Sequence, residues 1–167
     1  GLGNRWCLPS GPLRESPSAL KFADMIVLNG SSPHPVRGVT DIKHYDMQLH
    51  PGAPYAIADR APCRDIEQLK QTTLHAIAGI GHPQRFFDML RDMGFSIIEH
   101  PYPDHHAYSE QDVAFDDQLP LITTEKDAIK LARIKINSAT WVMPVRAQTD
   151  PGFSTDLLNM LEQASLR

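Results

Sequence analysis

The chain has 167 residues, 41% of them hydrophobic and 22% charged, which is enough for one sizeable core and short for two. Its formal net charge of -4 and the absence of a polybasic run argue against nucleic acid as a partner. Two cysteines without a CxxC pattern indicate a reducing compartment and no zinc ribbon. No apolar stretch approaches the ~20 residues of a membrane-spanning helix, so we expect at most contact with a membrane surface.

The amino-terminal region predicts a loop and then a strand. The chain begins without methionine and runs into a Gly/Pro-rich segment, residues 8–15, which typically lies between elements. We therefore expect a fragment whose amino-terminal half is missing. In this loop the Arg14 guanidinium is a candidate bidentate ligand for phosphate or carboxylate, the alternative being a surface pair with Glu15. An apolar run over 23–29, ending at Gly30, predicts a buried strand.

The middle of the chain is rich in proline. Five prolines fall between residues 31 and 64, among short alternating pieces such as 44–49. Because proline confines strands to sheet edges, we predict an antiparallel hairpin insertion over 31–68. The chain is thereby divided into three parts: residues 1–30, the insertion 31–68, and an α/β lobe over 69–167.

From residue 69 onward, strands and helices alternate. The predicted strands cover 74–79, 96–99, 119–123 and 141–145, and the predicted helices cover 83–93, 109–115 and 154–166, with one more beginning at Thr124. This alternation predicts a mostly parallel, doubly wound, Rossmann-like α/β sheet. In such a sheet, the loops that leave the carboxyl ends of the strands form the ligand crevice.

The strongest candidate for chemistry is Asp104-His105-His106. It lies between the strand over 96–99 and a capping-type helix start over 109–112. Histidine titrates near working pH, and an adjoining aspartate can fix or shift it. The alternative is that these histidines are exposed or structural.

Two further loops follow predicted strands. In Gly79-Ile80-Gly81-His82-Pro83, the glycines let the backbone approach a ligand, which would suit an anion at the helix terminus. Gln84 replaces the third glycine of GxGxxG, so a plain tight turn is favoured over dinucleotide binding. Thr123-Thr124-Glu125-Lys126-Asp127 places polar groups at another strand end, where capping alone explains Thr124 and Asp127 and a functional role is the alternative. No G-x-x-x-x-G-K-[ST] loop is present.

Together these segments resemble the tetraacyldisaccharide 4'-kinases, which phosphorylate the disaccharide precursor of lipid A. The resemblance is carried, in the family's order, by Gly3-Asn4, Leu8-Pro9-Ser10-Gly11-Pro12-Leu13-Arg14-Glu15, the segment 75–87 (HAIAGIGHPQRFF), Pro103-Asp104-His105-His106 and Thr124-Glu125-Lys126-Asp127-Ala128. Ser10, Ser16 and His82 stand where the family usually has Ala, Pro and Asn.

The resemblance implies a P-loop-type kinase of two α/β lobes, with this chain as the carboxyl-terminal part and residues 1–30 as the end of the first lobe with a substrate loop. The Walker loop, the magnesium-binding acidic pair and a catalytic aspartate would lie in the missing lobe. ATP and Mg²⁺ would serve the full-length enzyme, with neither bound tightly by this chain, which we expect to be inactive alone. The implied partners are a lipid disaccharide and the cytoplasmic face of the bacterial inner membrane.

The resemblance also implies residue roles. His105 would join the catalytic aspartate of the other lobe as a dyad, with Asp104 beside it. Substrate or phosphate binding falls to Arg14, Asn4, Gly79 and Gly81, and a supporting role to Thr124, Glu125 and Lys126. No metal ligand is expected in this chain.

Two other classes stay open. A DHH-type phosphoesterase would place Asp104-His105-His106 near a divalent metal, although it needs further aspartate motifs upstream that the sequence lacks. A non-catalytic Rossmann-like binding module is supported by the Gly79-x-Gly81 turn alone.

Overall fold

The computed structural model describes residues 6–11, 13–30 and 42–165. The strands in these ranges are β1 (Met25–Asn29), β2 (Lys43–Pro51), β3 (Tyr55–Ala56), β4 (Leu74–Ala78), β5 (Ile97–Pro101), β6 (Leu121–Thr124), β7 (Thr140–Met143) and β8 (Val145–Thr149). The α-helices are α1 (Ile66–Lys70), α2 (Pro83–Asp92), α3 (Glu125–Leu131) and α4 (Pro151–Ser165), and two 3₁₀ helices cover Pro17–Phe22 and Glu110–Val113.

The chain divides into two compact units. One comprises Gly1–His50 and Ala147–Arg167, and the other Pro51–Arg146. The three-part division at residues 30 and 68 stays a prediction. No helix in the described ranges is both long and apolar enough to cross a bilayer.

The unit Pro51–Arg146 is built on a five-stranded sheet with the order β3-β7-β6-β4-β5. Strands β5, β4, β6 and β7 are parallel, and the two-residue β3 pairs antiparallel with β7 at one edge. All five residues of β4 are buried, as expected for a strand with neighbours on both sides and helices on both faces. This architecture confirms the predicted α/β class.

The two faces of the sheet carry separate cores. Alternate side chains of a strand point to opposite faces. Leu74 of β4 therefore packs with Phe87 and Leu90 of α2 on one face. Ile77 packs with Leu121 and Leu131 on the other face, where α3 lies. Helices thus cover both faces, which confirms the doubly wound arrangement.

Helix α2 ends where the sequence predicts. Gly94 adopts the left-handed backbone conformation, with φ of 88°, which residues with a side chain rarely adopt. Its N–H bonds the carbonyl of Arg91, and the Phe95 N–H bonds that of Leu90, so the last helical carbonyls are satisfied. The buried Phe95 side chain then returns to the core beside α2.

The other unit contains a three-stranded sheet with the order β1-β2-β8. Strand β2 pairs parallel with β1, with Met25 opposite Lys43, so the predicted antiparallel hairpin over 31–68 is wrong in its described part. The only proline of β2 is Pro51 at its last position, which leaves the rest of β2 free to pair on both sides as the middle strand. Sequence alternation predicted a strand here but could not specify its partner.

Candidate functional site

In the sheet of the unit Pro51–Arg146, the order in which the chain adds parallel strands reverses at β4. From β4 the chain passes to β5 on one side and then to β6 on the other. Ligands of open α/β sheets bind beyond the carboxyl strand ends at such a switch point. The loops that follow β4, β5 and β6 are those that carry Gly79–Gly81, Asp104–His106 and Thr124–Lys126. The structure therefore brings three sequence-predicted segments to one edge of the sheet.

Asp104 and Lys126 form the charged centre of this edge. Lys126 Nζ donates to Asp104 Oδ1 at 2.6 Å, and this hydrogen bond lowers the pKa of the Asp104 carboxyl below its ordinary value. The other carboxylate oxygen lies 3.7 Å from Nε2 of His105, whose side chain is 77% exposed. Gly81 is adjacent, since a Cβ there would lie 3.9 Å from Asp104 Oδ2. An ionised carboxylate and an exposed imidazole are thus presented together.

His105 has an unusual backbone. Its φ of 63° lies in the left-handed region, which few non-glycine residues adopt and which is often found at functional sites. The His105 N–H bonds Asp104 Oδ1 at 3.0 Å, and the His106 N–H bonds the Pro103 carbonyl, so a tight turn surrounds it. This turn directs the imidazole away from the protein.

His106 has a different environment from that of its neighbour. Its ring stacks on Tyr102 with centroids 4.6 Å apart, and its Nε2 lies 3.4 Å from Asp112 Oδ2. Asp112 also accepts hydrogen bonds from the backbone N–H and the hydroxyl of Ser109, which lower the pKa of its carboxyl. The predicted helix start at Ser109 is confirmed, and His106 belongs to the packing of this loop.

Gly79 lies at the closest approach between the loops. Its N–H donates to Oδ2 of the fully buried Asp127, and Thr124 Oγ1 donates to the same oxygen at 2.9 Å. A Cβ on Gly79 would lie 2.6 Å from Tyr108 Oη and 3.3 Å from the Pro103 carbonyl oxygen. Burial, followed by the charge of Asp127, raises the pKa of the Tyr108 hydroxyl. Only glycine fits this position, which explains the Gly79 turn without a ligand.

The remaining predicted residues lie elsewhere or have structural partners. Thr124 caps α3, as predicted, by accepting the Asp127 N–H, and Glu125 accepts the Val145 N–H at 3.4 Å. Arg14 is exposed and lies in the other compact unit, beside a shallow depression lined by its own loop. Asn4 lies outside the described residues.

A second group of histidines escaped the sequence interpretation. His75 Nδ1 lies 2.9 Å from His100 Nε2, and His75 Nε2 lies 2.9 Å from Asp117 Oδ1. Phe115 stacks on the His75 ring at 3.7 Å. Burial, followed by the charge of His75, lowers the pKa of His100. His100 and Asp117 lie 25 and 42 positions from His75 along the chain. The sequence offers only a histidine in one predicted strand and another directly after the next predicted strand.

Two charged residues of α3 were also given too little weight. The sequence explains Asp127 by helix capping, and its pattern assigns no role to Lys130. For Lys130, the available signal is its four-residue spacing from Lys126 behind a predicted cap, which places both lysines on one face of the helix. In the described ranges, no group of three or more His, Cys, Asp or Glu side chains could hold a metal ion.

Comparison with known proteins identifies the family of this chain. A family model described as Tetraacyldisaccharide-1-P 4'-kinase matches residues 1–162. The tetraacyldisaccharide 4'-kinase of Aromatoleum aromaticum is 38% identical over 96% of this chain and 47% of its own length. That of Alkalilimnicola ehrlichii is 44% identical over 90% of this chain and 43% of its own length. The chain thus spans about half the length of the curated relatives that it matches.

A solved structure shares the fold. The crystal structure of "apo" form LpxK from Aquifex aeolicus in complex with ATP superposes with a TM-score of 0.71 at 23% identity, covering 94% of this chain and 48% of that one. Fold and site together define a doubly wound α/β lobe with its polar loops at the carboxyl edge of a parallel sheet. The chain belongs to the tetraacyldisaccharide-1-P 4'-kinase family.

Proposed function

We propose that this chain supplies the Asp104-His105 loop of an ATP-dependent kinase that phosphorylates the 4'-hydroxyl of a tetraacyldisaccharide 1-phosphate in lipid A synthesis. Family membership supports this function over a phosphoesterase or a dinucleotide-binding module. The observation that carries it is the exposed His105 imidazole beside an ionised Asp104, at the carboxyl edge of the sheet.

The chemistry of the reaction gives this pair a task. A sugar hydroxyl is a weak nucleophile, and a positioned base must accept its proton as the phosphoryl group is transferred. His105 is the exposed group that can orient or tune such a base, an aspartate contributed from outside these residues. The Lys126 hydrogen bond lowers the pKa of the Asp104 carboxyl, and the other oxygen of that carboxylate lies 3.7 Å from the imidazole that it can orient.

Nucleotide binding does not fit this chain. Triphosphate affinity in P-loop enzymes comes from a glycine-rich backbone cradle, its lysine and a bound Mg²⁺. The sequence contains no G-x-x-x-x-G-K-[ST] segment, and Gly79 is closely packed against Tyr108 and Pro103. We therefore assign ATP and Mg²⁺ to the remainder of the enzyme, and this chain alone is expected to be inactive.

Substrate contacts complete the proposal. Arg14 is exposed on a loop of the other unit, where its guanidinium can bind a phosphate of the lipid in a bidentate manner. Asn4, Gly79 and Gly81 are further candidates, of which Gly79 acts through the backbone conformation of its turn. Because the substrate is a lipid, the complete enzyme would act as a peripheral protein at the cytoplasmic face of the inner membrane.

Steady-state kinetics of the complete kinase test this function. We expect His105→Ala to lower kcat by about 10²- to 10⁴-fold, the usual effect of losing a proton-transfer partner. KM for ATP and for the lipid should change little. His106→Ala is the matched control, because it removes a histidine at the next position, where the side chain is packed in the loop. Its kcat should fall less. A near-normal kcat for His105→Ala would remove His105 from the mechanism.

A further inference from the structure

We infer that Lys130 and Lys126 are positioning residues that hold the loop bearing His105 from both sides. This inference rests on the proposed function of His105, and it assigns to α3 a task that its capping does not require. The two lysines are four positions apart and therefore lie on one face of α3. That face is the one that meets the loop after β5.

The two ammonium groups bind the residues directly before and after His105. Lys126 Nζ donates to the Asp104 carboxylate at 2.6 Å, and Lys130 Nζ donates to the His106 carbonyl at 3.0 Å. The side chain of His105 has one longer contact, with its Nε2 lying 3.7 Å from Asp104 Oδ2, and it is 77% exposed. The flanking residues are thereby fixed while the imidazole stays available.

The backbone of His105 explains why such fixing matters. A non-glycine residue with φ of 63° adopts a sparsely populated conformation, which persists only where its surroundings determine it. Of the two contacts made by the lysines, the one to the His106 carbonyl acts on the backbone itself. Loss of that contact would let the turn relax and move the imidazole.

Lys130 also connects the loop to the rigid part of the sheet. Its Nζ lies 3.7 Å from Oδ1 of the fully buried Asp127 and 5.7 Å from the ring centroid of Tyr108. Asp127 in turn accepts the Gly79 N–H. The ammonium group therefore lies beside a fully buried carboxylate, and the contacts of Lys130 and Asp127 join the loops after β4, β5 and β6.

The chain provides a closely matched control in Lys70. Lys70 forms an ion pair with Glu67 at the same i,i+3 spacing, lies 5.9 Å from the ring centroid of Phe95, and is similarly shielded. It lies in the same compact unit, on α1, but it contacts no residue of the 104–106 loop. Lys130→Met and Lys70→Met each remove an i,i+3 ion pair and a contact with an aromatic ring, with a fully buried carboxylate partner for Lys130 and a 73% exposed one for Lys70. Only Lys130→Met removes the bond to His106.

The test compares these variants in the complete kinase. We expect Lys130→Met to lower kcat by about 10- to 100-fold with both KM values unchanged, because a small misplacement of a catalytic group slows chemistry on that scale. Lys70→Met should keep the wild-type kcat, and Lys130→Arg, which retains a charged donor, should recover most of it. Wild-type kcat in Lys130→Met, or equal losses in Lys130→Met and Lys70→Met, would overturn the inference.

Two further measurements keep the outcomes distinct. His105→Ala in the same assay tests the proposed function, so a normal kcat there would refute that function, whereas a low kcat beside a normal Lys130→Met would refute only the positioning role. Amide hydrogen exchange at residues 104–107 gives a readout besides activity. Exchange in this loop should accelerate in Lys130→Met and stay unchanged in Lys70→Met. If Lys130→Met does not fold, Lys126→Met takes its place in this comparison. Unchanged exchange in the loop would contradict the inference.

Discussion

Two histidine–carboxylate groups in the unit Pro51–Arg146 have opposite environments. The His105 imidazole lies beyond the carboxyl end of β5, 77% exposed, with Asp104 Oδ2 at 3.7 Å. The His75 side chain is 5% exposed, and both of its ring nitrogens are engaged, one with His100 and one with Asp117. A buried imidazole whose two nitrogens are satisfied contributes to stability, whereas an imidazole with a free nitrogen can exchange protons with a ligand. Residue type alone does not separate these roles.

A large effect on folding is expected at Gly79. Its replacement by alanine places a Cβ 2.6 Å from Tyr108 Oη and 3.3 Å from a backbone oxygen, and such overpacking typically costs about 1–3 kcal/mol. Gly81→Ala is the control, because its nearest atom would be 3.9 Å away and an open position changes stability by about 0.5 kcal/mol or less. Denaturant unfolding measures both. Equal stabilities for the two variants would show that the Gly79 turn is not constrained as described.

Acid should weaken the group formed by His75, His100 and Asp117. Because burial lowers the pKa of His100 below 6.5, the unfolded chain binds the proton more readily than the folded one. Stability should therefore be complete above pH 6.5 and fall as the pH decreases through the interval between 6.5 and the lowered pKa. His100→Gln should remove this dependence, and His105→Gln should retain it. Urea unfolding midpoints measured at several pH values test this prediction. A midpoint that does not change with pH in the wild type would contradict the lowered pKa of His100.

A smaller effect is expected in the pH profile of catalysis. The Lys126 hydrogen bond is the largest cause of the lowered pKa of Asp104, so Lys126→Met should raise that pKa. If Asp104 must be ionised beside His105, the acid limb of kcat/KM in the complete kinase moves to higher pH. Lys70→Met should leave the limb in place. An unshifted limb in Lys126→Met would show that Asp104 ionisation does not limit turnover.

The smallest expected signal is nucleotide binding by this chain alone. Its sequence contains no P-loop, and one or two phosphate contacts must still offset the entropy lost on association. Titration calorimetry with ATP and Mg²⁺ should therefore show no tight binding. A dissociation constant in the low micromolar range or below would mean that these residues include a complete nucleotide site.

The contrast between the two histidine groups also explains what the sequence could predict. The periodicity of apolar residues, together with the glycines, prolines and capping residues at the ends of elements, located β4, α2 and the loop of His105. Each of these features is encoded by residues that are neighbours along the chain. The His75 group and the link from Asp127 to Gly79 are formed across strands, over 25 to 48 residues, which a single sequence does not reveal. The parallel pairing of β2 with β1 could not be predicted for the same reason, because a single sequence does not specify which strands pair.

The most direct test of the account measures kcat and the free energy of unfolding in His105→Ala and His75→Ala of the complete kinase. We expect His105→Ala to lose turnover by about 10²- to 10⁴-fold while its stability changes by about 0.5 kcal/mol or less. His75→Ala leaves His100 and Asp117 without their partner, so it should lose about 1–3 kcal/mol of stability while the folded fraction keeps near-normal kcat. The reverse pattern, or a kcat equally reduced in both variants, would contradict the assignment of catalysis to the His105 loop.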